Sequence, residues 1–375
     1  MASIVVIEPW YGGSHQVWLD GWMDHSRHDI ATLTLPDRFW KWRMRGGAVA
    51  LGAAFDAHVD THGRPDAVVV SGLIDAAAFA GLARRSLGDT PMALYAHENQ
   101  VLYPLAPNQR PEPDLGFANW RSLLAADAIW WNSGFHRDAL LGALPELLDR
   151  QPEPTDPAAL DRVRHPSTVL WPGVDVAGLI AAPRPQREAP LVLWNQRWDH
   201  DKNPHAVFSA LASAANNGIA FEVALAGENH GHSADGRTGL PEQVRSDLGS
   251  RIVHEGWLEP DAYRALLTQA DVVVSAADHE FFGIALVEAM AGGAIPVLPD
   301  RLSFPELVGP EWHDAALYPD GDLRRRVEAV LRAPDEWQRR LVGLRESMAR
   351  FDVTQSAAAH DAAVDQLVSG RSANS

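Results

Sequence analysis

Asp271-Val272-Val273-Val274-Ser275 runs through Ala276-Ala277 into Asp278-His279-Glu280-Phe281-Phe282-Gly283, and Ile284-Ala285-Leu286-Val287-Glu288-Ala289-Met290 follows. A β-branched apolar run reads as a buried strand, Gly283 as a turn and Ala285 onward as a helix, so the stretch is one strand-turn-helix unit. Such a unit points the first helix amides, Phe282 to Ala285 with Ile284 among them, into the crevice at the strand's carboxyl end. Those amides favour anionic or hydroxyl-rich ligands. Glu280 stands at the mouth and Glu288 one to two turns down the helix, both able to accept hydrogen bonds from hydroxyls. A sugar nucleotide has hydroxyls at both ends, and the pattern suggests a sugar-nucleotide site. Spacing alone does not decide it, because most glutamates on helices are simply solvated.

The same alternation of short apolar runs and amphipathic stretches fills the chain. Strands are expected at residues 3–7, 67–71, 92–96, 128–131 and 167–171, and again at 191–195, 221–226, 251–254, 271–275 and 295–298. This is the pattern of an α/β protein built from parallel sheets with helices on both faces. A break near Asp175 and a linker at Ala182-Pro183-Arg184-Pro185 divide it into two Rossmann-like, doubly wound domains, 1–178 and 186–350, facing a cleft. Residues 351–375 are expected to form a C-terminal helix that packs back on the first domain and ends in a frayed tail. The proline-rich stretch 151–166 reads as a surface excursion.

With 375 residues, 46% apolar and 22% charged, the composition is that of a globular protein large enough for two domains. No apolar run approaches the ~20 residues that span a bilayer, and the N-terminus reads as a first strand; a cytoplasmic location is expected. Cysteine is absent, which removes disulfides, thiolate metal sites and cysteine nucleophiles together. A net charge of −17 should repel nucleic acid unless positive charge is concentrated locally. Of the basic residues only Lys41 and Lys202 are lysines. Codon bias explains an arginine excess, and two lysines kept against it mark places where a compact ammonium is needed.

Lys202 lies in Arg197-Trp198-Asp199-His200-Asp201-Lys202-Asn203-Pro204, directly after a strand. Arg197 and Lys202 would flank a diphosphate, the fork and the point charge together stabilising a departing nucleoside diphosphate. A surface salt-bridge cluster is the competing explanation. Asp199-His200-Asp201 has the form of a divalent-cation motif, but cations precede and follow it, which makes a metal redundant; none is expected. Glu228, His230 and His232 read as a glycine-rich loop rather than ligands. At the N-terminus, Glu8-Pro9-Trp10-Tyr11-Gly12-Gly13-Ser14-His15 ends the first strand, with Gly12 and Gly13 allowing close backbone approach and Ser14 placed to cap a helix. His97, in Tyr95-Ala96-His97-Glu98-Asn99-Gln100, is placed to bond a sugar hydroxyl or carry a proton. A lone histidine at a strand end is more often an ordinary packed or exposed imidazole.

Lys41 lies in Arg38-Phe39-Trp40-Lys41-Trp42-Arg43-Met44-Arg45, four cations and three aromatics without an acid. Such interleaving suits an RNA single strand or loop, with bases stacked and phosphates paired. A membrane-touching helix, or one covering its own core, shares the pattern.

Together these blocks, with Gly256 after residues 251–255 and Phe304-Pro305-Glu306 near the end, resemble the family-4, GT-B glycosyltransferases. More narrowly they look like the tRNA-queuosine mannosyltransferases. The resemblance implies GDP-mannose as donor, no cofactor or metal, queuosine-containing tRNA as acceptor, and transfer with retention; a family-4 transferase with a lipid or small-metabolite acceptor and another sugar nucleotide is the alternative. Arg197 and Lys202 would hold the diphosphate, Glu288 the ribose, and Glu280 with the amides of Phe282, Gly283 and Ile284 the mannose. His97 would touch the sugar from the other domain, with Gly12 and Gly13 also on the donor side. Arg38, Trp40, Lys41, Trp42, Arg43, Arg45 and Asn99 would meet the tRNA. No membrane contact and no obligate protein partner are implied.

Overall fold

A computed structural model describes residues 1–105, 110–153, 157–164, 167–227 and 242–372. Residues 228, 230 and 232, read above as a loop, lie outside them. The chain forms two compact units: one comprises Met1–Tyr103, Pro111–Gly173 and Val353–Ser375, the other Val174–Asp352 with the short segment Pro104–Arg110.

The first unit contains a six-stranded parallel sheet: β1 (Ser3–Tyr11), β2 (Asp29–Pro36), β3 (Ala67–Ser71), β4 (Met92–Ala96), β5 (Ala128–Trp131) and β6 (Ser167–Val169). Their spatial order is β2-β1-β3-β4-β5-β6. Residues 4–7 of β1 and all of β3 and β4 are buried, as strands covered on both faces must be. β2 was not expected. Its sequence, Asp29-Ile30-Ala31-Thr32-Leu33-Thr34-Leu35-Pro36, alternates and ends in proline, which suits an edge but lacks the continuous apolar run that reveals an inner strand.

The second unit holds β7 (Leu191–Trp194), β8 (Glu222–Leu225), β9 (Ile252–Glu255), β10 (Val272–Val274), β11 (Ile295–Pro299) and β12 (Leu317–Tyr318), in the order β12-β11-β10-β7-β8-β9. Again every pairing is parallel. In both sheets the order reverses beside the unit's first strand, between β1 and β3 and between β7 and β10. Such switch points are where α/β sheets open a crevice at their carboxyl ends.

Three expectations change. The chain passes between units at Gly173–Val174, beside the break read near Asp175, and the segment Ala182–Pro185 is not the crossing. Arg184 of that segment is tied into the second unit, donating to Gly292 O, Ala270 O and Asp271 Oδ1 at 2.9 Å each. Within 151–166, Pro157–Arg164 is a helix that places Val163 in the core, because its apolar positions fall on one face. The C-terminal segment, expected to fray from residue 369, is helical over Val353–Ser372 and belongs to the first unit, while residues 373–375 lie outside the described ones. It is anchored there by the Trp18 and Trp22 indoles, which donate to His360 Nε2 (3.1 Å) and Asp361 Oδ1 (2.9 Å). Among the described residues no helix is long and apolar enough to cross a membrane.

Candidate active site

In the second unit the loop after β7 and the loop after β10 meet because those strands are neighbours, Val272 beside Val192 and Val273 beside Leu193. The backbone knits them: the amides of Asp278 and His279 donate to Asp201 O at 2.8 and 3.3 Å. Lys202 crosses the junction. Its Nζ donates to His279 O (2.7 Å) and pairs with Glu280 Oε2 (3.2 Å) and Asp201 Oδ2 (3.1 Å). Burial works against the Lys202 charge, but Glu280 and Asp201 outweigh it and hold its pKa above the usual lysine value. His279 responds oppositely: burial, with the Lys202 charge adding, pushes it down to about 4. Arg197 is exposed, and its charge opposes protonation of both Lys202 and His279.

The helix Ile284–Gly292 starts at Gly283, whose φ of 107° is the left-handed region that favours glycine. A side chain there would also press on Leu307 Cδ1 at 3.2 Å. The first amides of a helix have no carbonyl one turn back, so those of Gly283, Ile284 and Ala285 face the helix mouth. The Phe282 amide leans on Glu280 Oε1 at 3.4 Å, and its ring is buried. One to two turns on, Glu288 is half-buried and accepts from the Tyr263 hydroxyl at 3.0 Å, which in turn accepts from Asn195 Nδ2 at 2.9 Å. Burial raises Glu288 to about 7, the Tyr263 hydrogen bond opposing the rise. Tyr263 and Asn195 carry no sequence signal of their own, and Asp201, read above only as part of a cation motif, instead pairs with Lys202. Tyr263 sits on a separate helix, Pro260–Gln269, and no local motif announces it.

Gly227 supports this junction from β8's end. A methyl there would lie 1.8 Å from Gln196 O, the carbonyl before Arg197. Gly227→Ala is expected to cost about 1–3 kcal/mol by forcing that backbone apart. Chemical denaturation together with donor titration should show lost stability and weaker nucleotide-sugar binding; unchanged midpoint and affinity would mean the loop yields freely.

The first unit gathers a second cluster at its own switch point. Glu8 at the end of β1 is fully buried, and both its oxygens lie 3.1 Å from His15 Nδ1. His15 stacks on His97, which follows β4, with ring centroids 3.9 Å apart. Burial lowers His15, yet Glu8 overrides it and raises the pKa; for His97 burial and then His15, His360 and His136 all lower it, well below the usual histidine value. Two rings stacked face to face do not aim their lone pairs at one point, so the group reads as an ion pair against a neutral ring.

Nearby expectations shift. Ser14 makes no cap, because the helix already begins at Gly13 and its cap position, Gly12, uses no side chain. Gly12 is extended, and its need for glycine comes from Asp37, whose Oδ2 would lie 2.3 Å from an added Cβ. Gly13 is the left-handed one, φ 54°. Asn99 is buried and spends its Oδ1 on the amides of Val101 (3.1 Å) and Leu102 (2.9 Å), pinning the loop after His97 rather than facing RNA.

The basic-aromatic segment opens the helix Trp40–His62. Phe39 and Trp42 are 72% and 62% exposed, while Trp40 packs on Met44, Leu73, Leu115 and Ala118. Arg38 is exposed. Arg43, expected on the surface, points inward and donates to Pro36 O at 3.1 Å. Lys41 and Arg45 both pair with Glu112, and Arg45 also with Asp114 at 2.8 Å. The acids come from the start of the helix Pro113–Ala125, about seventy residues away, so the sequence run hides the fact that its charges are partly neutralised.

Two parallel-sheet units, with a cation-carboxylate junction at the switch point of the second, are the architecture expected of a GT-B glycosyltransferase. Solved structures agree on the fold. Sucrose-phosphate synthase from Thermosynechococcus elongatus superposes with a TM-score of 0.73 at 17% identity, over 99% of this chain and 100% of that one. A lipopolysaccharide outer core galactosyltransferase gives 0.63 at 13%, over 98% and 99%. Residues 180–343 match the family model "Glycosyl transferases group 1" and residues 3–174 match "tRNA-queuosine alpha-mannosyltransferase N-terminal". The tRNA-queuosine alpha-mannosyltransferase of Drosophila melanogaster is 30% identical over 318 residues, 81% of each chain. This chain belongs to the tRNA-queuosine alpha-mannosyltransferase family. A GDP-mannose-dependent phosphatidylinositol dimannoside mannosyltransferase of Mycobacterium tuberculosis is a more distant relative, 24% identical over 84% of this chain and 77% of its own.

Proposed function

We propose that this protein transfers mannose from GDP-mannose to a hydroxyl of queuosine in tRNA, with retention at the anomeric carbon, in the cytoplasm and without a metal or other cofactor. Family membership supports the acceptor, and the Lys202–Glu280 junction carries the donor reading. Arg197 and Lys202 hold the diphosphate. Glu288 accepts from the ribose hydroxyls, as its link to Tyr263 orients it to do. Glu280 and the amides at the Gly283 helix mouth take the mannose hydroxyls, and His97 a further substrate hydroxyl. In the transfer, the bond from mannose C1 to the diphosphate oxygen breaks and one from C1 to the queuosine oxygen forms. The acceptor proton passes to the leaving diphosphate, so GDP departs and no protein carboxylate need act as nucleophile.

On the RNA side, Phe39 and Trp42 offer exposed stacking faces, and Phe39 is held in a left-handed conformation (φ 59°) that costs a bulky residue about 1–2 kcal/mol. Trp42→Ala is expected to weaken tRNA binding about tenfold. Glu112→Gln, by releasing Lys41 and leaving Arg45 only its Asp114 partner, should tighten it and steepen its salt dependence. Filter binding over a salt series reads both; a Glu112→Gln variant that binds tRNA less well would contradict the assignment.

Incubation with GDP-mannose and queuosine-containing tRNA, followed by nucleoside mass spectrometry, tests the activity directly. A hexose added to queuosine is expected. Donor consumption with mannose appearing only on lipid or small-molecule acceptors would overturn the tRNA reading.

A further inference from the structure

Beyond the residues that meet substrate, the first unit contains a buried pair that the transfer chemistry above does not use. Glu8 and His15 lie under His97, yet neither side chain has another evident task. Glu8 Oε1 also accepts from the Trp10 amide at 2.8 Å, which fixes the carboxylate plane. His97 is fixed in turn: its carbonyl accepts from Asn132 Nδ2 at 2.7 Å, and Trp18 and Tyr95 pack edge-on against its ring. Its Nε2 is buried and has no hydrogen-bond partner among the described residues. A buried ring nitrogen without a partner is costly unless something supplies one, and a substrate hydroxyl is of the right chemistry.

We propose that Glu8 and His15 are positioning residues: Glu8 holds His15 as an imidazolium, and this cation, stacked on the buried His97 ring, reinforces burial in keeping His97 neutral with Nε2 available to a substrate hydroxyl. The proposal rests on His97 being part of the transfer site. A carboxylate with no exposure is stable only when paired, and His15 is its charge partner. A cation 3.9 Å from a second imidazole opposes a second proton there. His97 therefore positions a hydroxyl and does not carry a proton through the cycle. The groups bearing on this balance are Glu8 on β1, His15 on the helix Gly13–His25, Glu98 after β4, His136 on the helix Gly134–Asp149 and His360 on the C-terminal helix. Ser71 Oγ on β3 lies 3.4 Å from His15 Nδ1. His360 is itself held down to about 4, first by burial, so it adds no charge near neutral pH.

The test combines ring-nitrogen NMR of the histidines with kinetics, on the full chain. In the wild type, His97 should stay neutral well below the usual histidine range while His15 remains charged above it. His15→Gln removes the stacked cation, and the His97 titration should move up. Transfer should slow roughly tenfold in kcat through loosened alignment, with the donor KM little changed. Glu8→Gln should lower the His15 titration and give the same kinetic split; if it fails to fold, His15→Gln still decides the matter. A wild-type His97 that titrates near the ordinary value overturns the proposal. So does a His15→Gln variant with both titration and kcat unchanged. The NMR arm needs no substrate, so absence of transfer to queuosine tRNA would refute the proposed function and leave these outcomes readable.

Discussion

Lys202→Ala is expected to lower kcat for mannosyl transfer about 10²–10³-fold, the size of effect seen when a preorganised charge at a developing anion is removed. Only 7% of Lys202 is exposed, so water cannot substitute for its ammonium without opening the junction. The same change removes the charge partner of buried Asp201, which should lower stability by about 3–5 kcal/mol. Lys202→Arg tests the reason a lysine stands here. The site presents three acceptors around one point, His279 O, Glu280 Oε2 and Asp201 Oδ2, which suits a compact ammonium and not a planar fork. Arginine should therefore keep the charge and fail to restore the rate. Single-turnover transfer and thermal unfolding separate the two losses. An alanine variant that folds and turns over within a few-fold of wild type would remove Lys202 from the mechanism.

Glu288→Gln is expected to move binding and stability in opposite directions. An unfolded glutamate titrates near 4.5, whereas burial brings Glu288 to about 7 in the fold. Between those values the native state holds the extra proton, so stability falls as pH rises through that window and the deficit is complete above it. Glutamine has no charge to desolvate, so the variant should melt at or above the wild-type temperature at pH 8. Donor binding should weaken about 10–100-fold, the loss of hydrogen bonds to a charged acceptor. In the wild type, affinity for GDP-mannose should decline as pH drops below about 7 and the carboxylate is neutralised; in Glu288→Gln it should be flat. Calorimetric titration at pH 6 and 8 checks both. A variant with wild-type donor affinity would show that the ribose is held elsewhere.

Much of the fold was legible because parallel strands buried on both faces are written as uninterrupted apolar runs. Residues 67–71, 92–96 and 128–131 form strands with the expected bounds, and the Gly283 turn and its helix lie where the spacing places them. β2 and β12 were not legible, one an alternating edge and the other two residues long. The site was partly legible for a related reason. Residues after strand ends announce themselves locally, as Lys202, Glu280 and His97 do. Tyr263, Glu112 and His360 act from elements remote in sequence, and nothing local marks them. Arg43 and Asn99 show the converse: a residue type suited to RNA can be spent inside the fold.

Sequence by itself determined that strand-turn-helix units repeat, that Arg197 and Lys202 follow one strand and Glu280 to Glu288 another, and that a basic-aromatic segment stands out from an acidic chain. Strand order was the part that only the tertiary structure decided. Placing β10 beside β7, about eighty residues away in sequence, brings Lys202 to Glu280, because parallel neighbours align their carboxyl ends on one side of the sheet. The same physics joins β1, β3 and β4, and with them Glu8, His15 and His97. It also sets Glu112 against Lys41 and Arg45, so that the segment with no acid of its own meets its counter-charges in space.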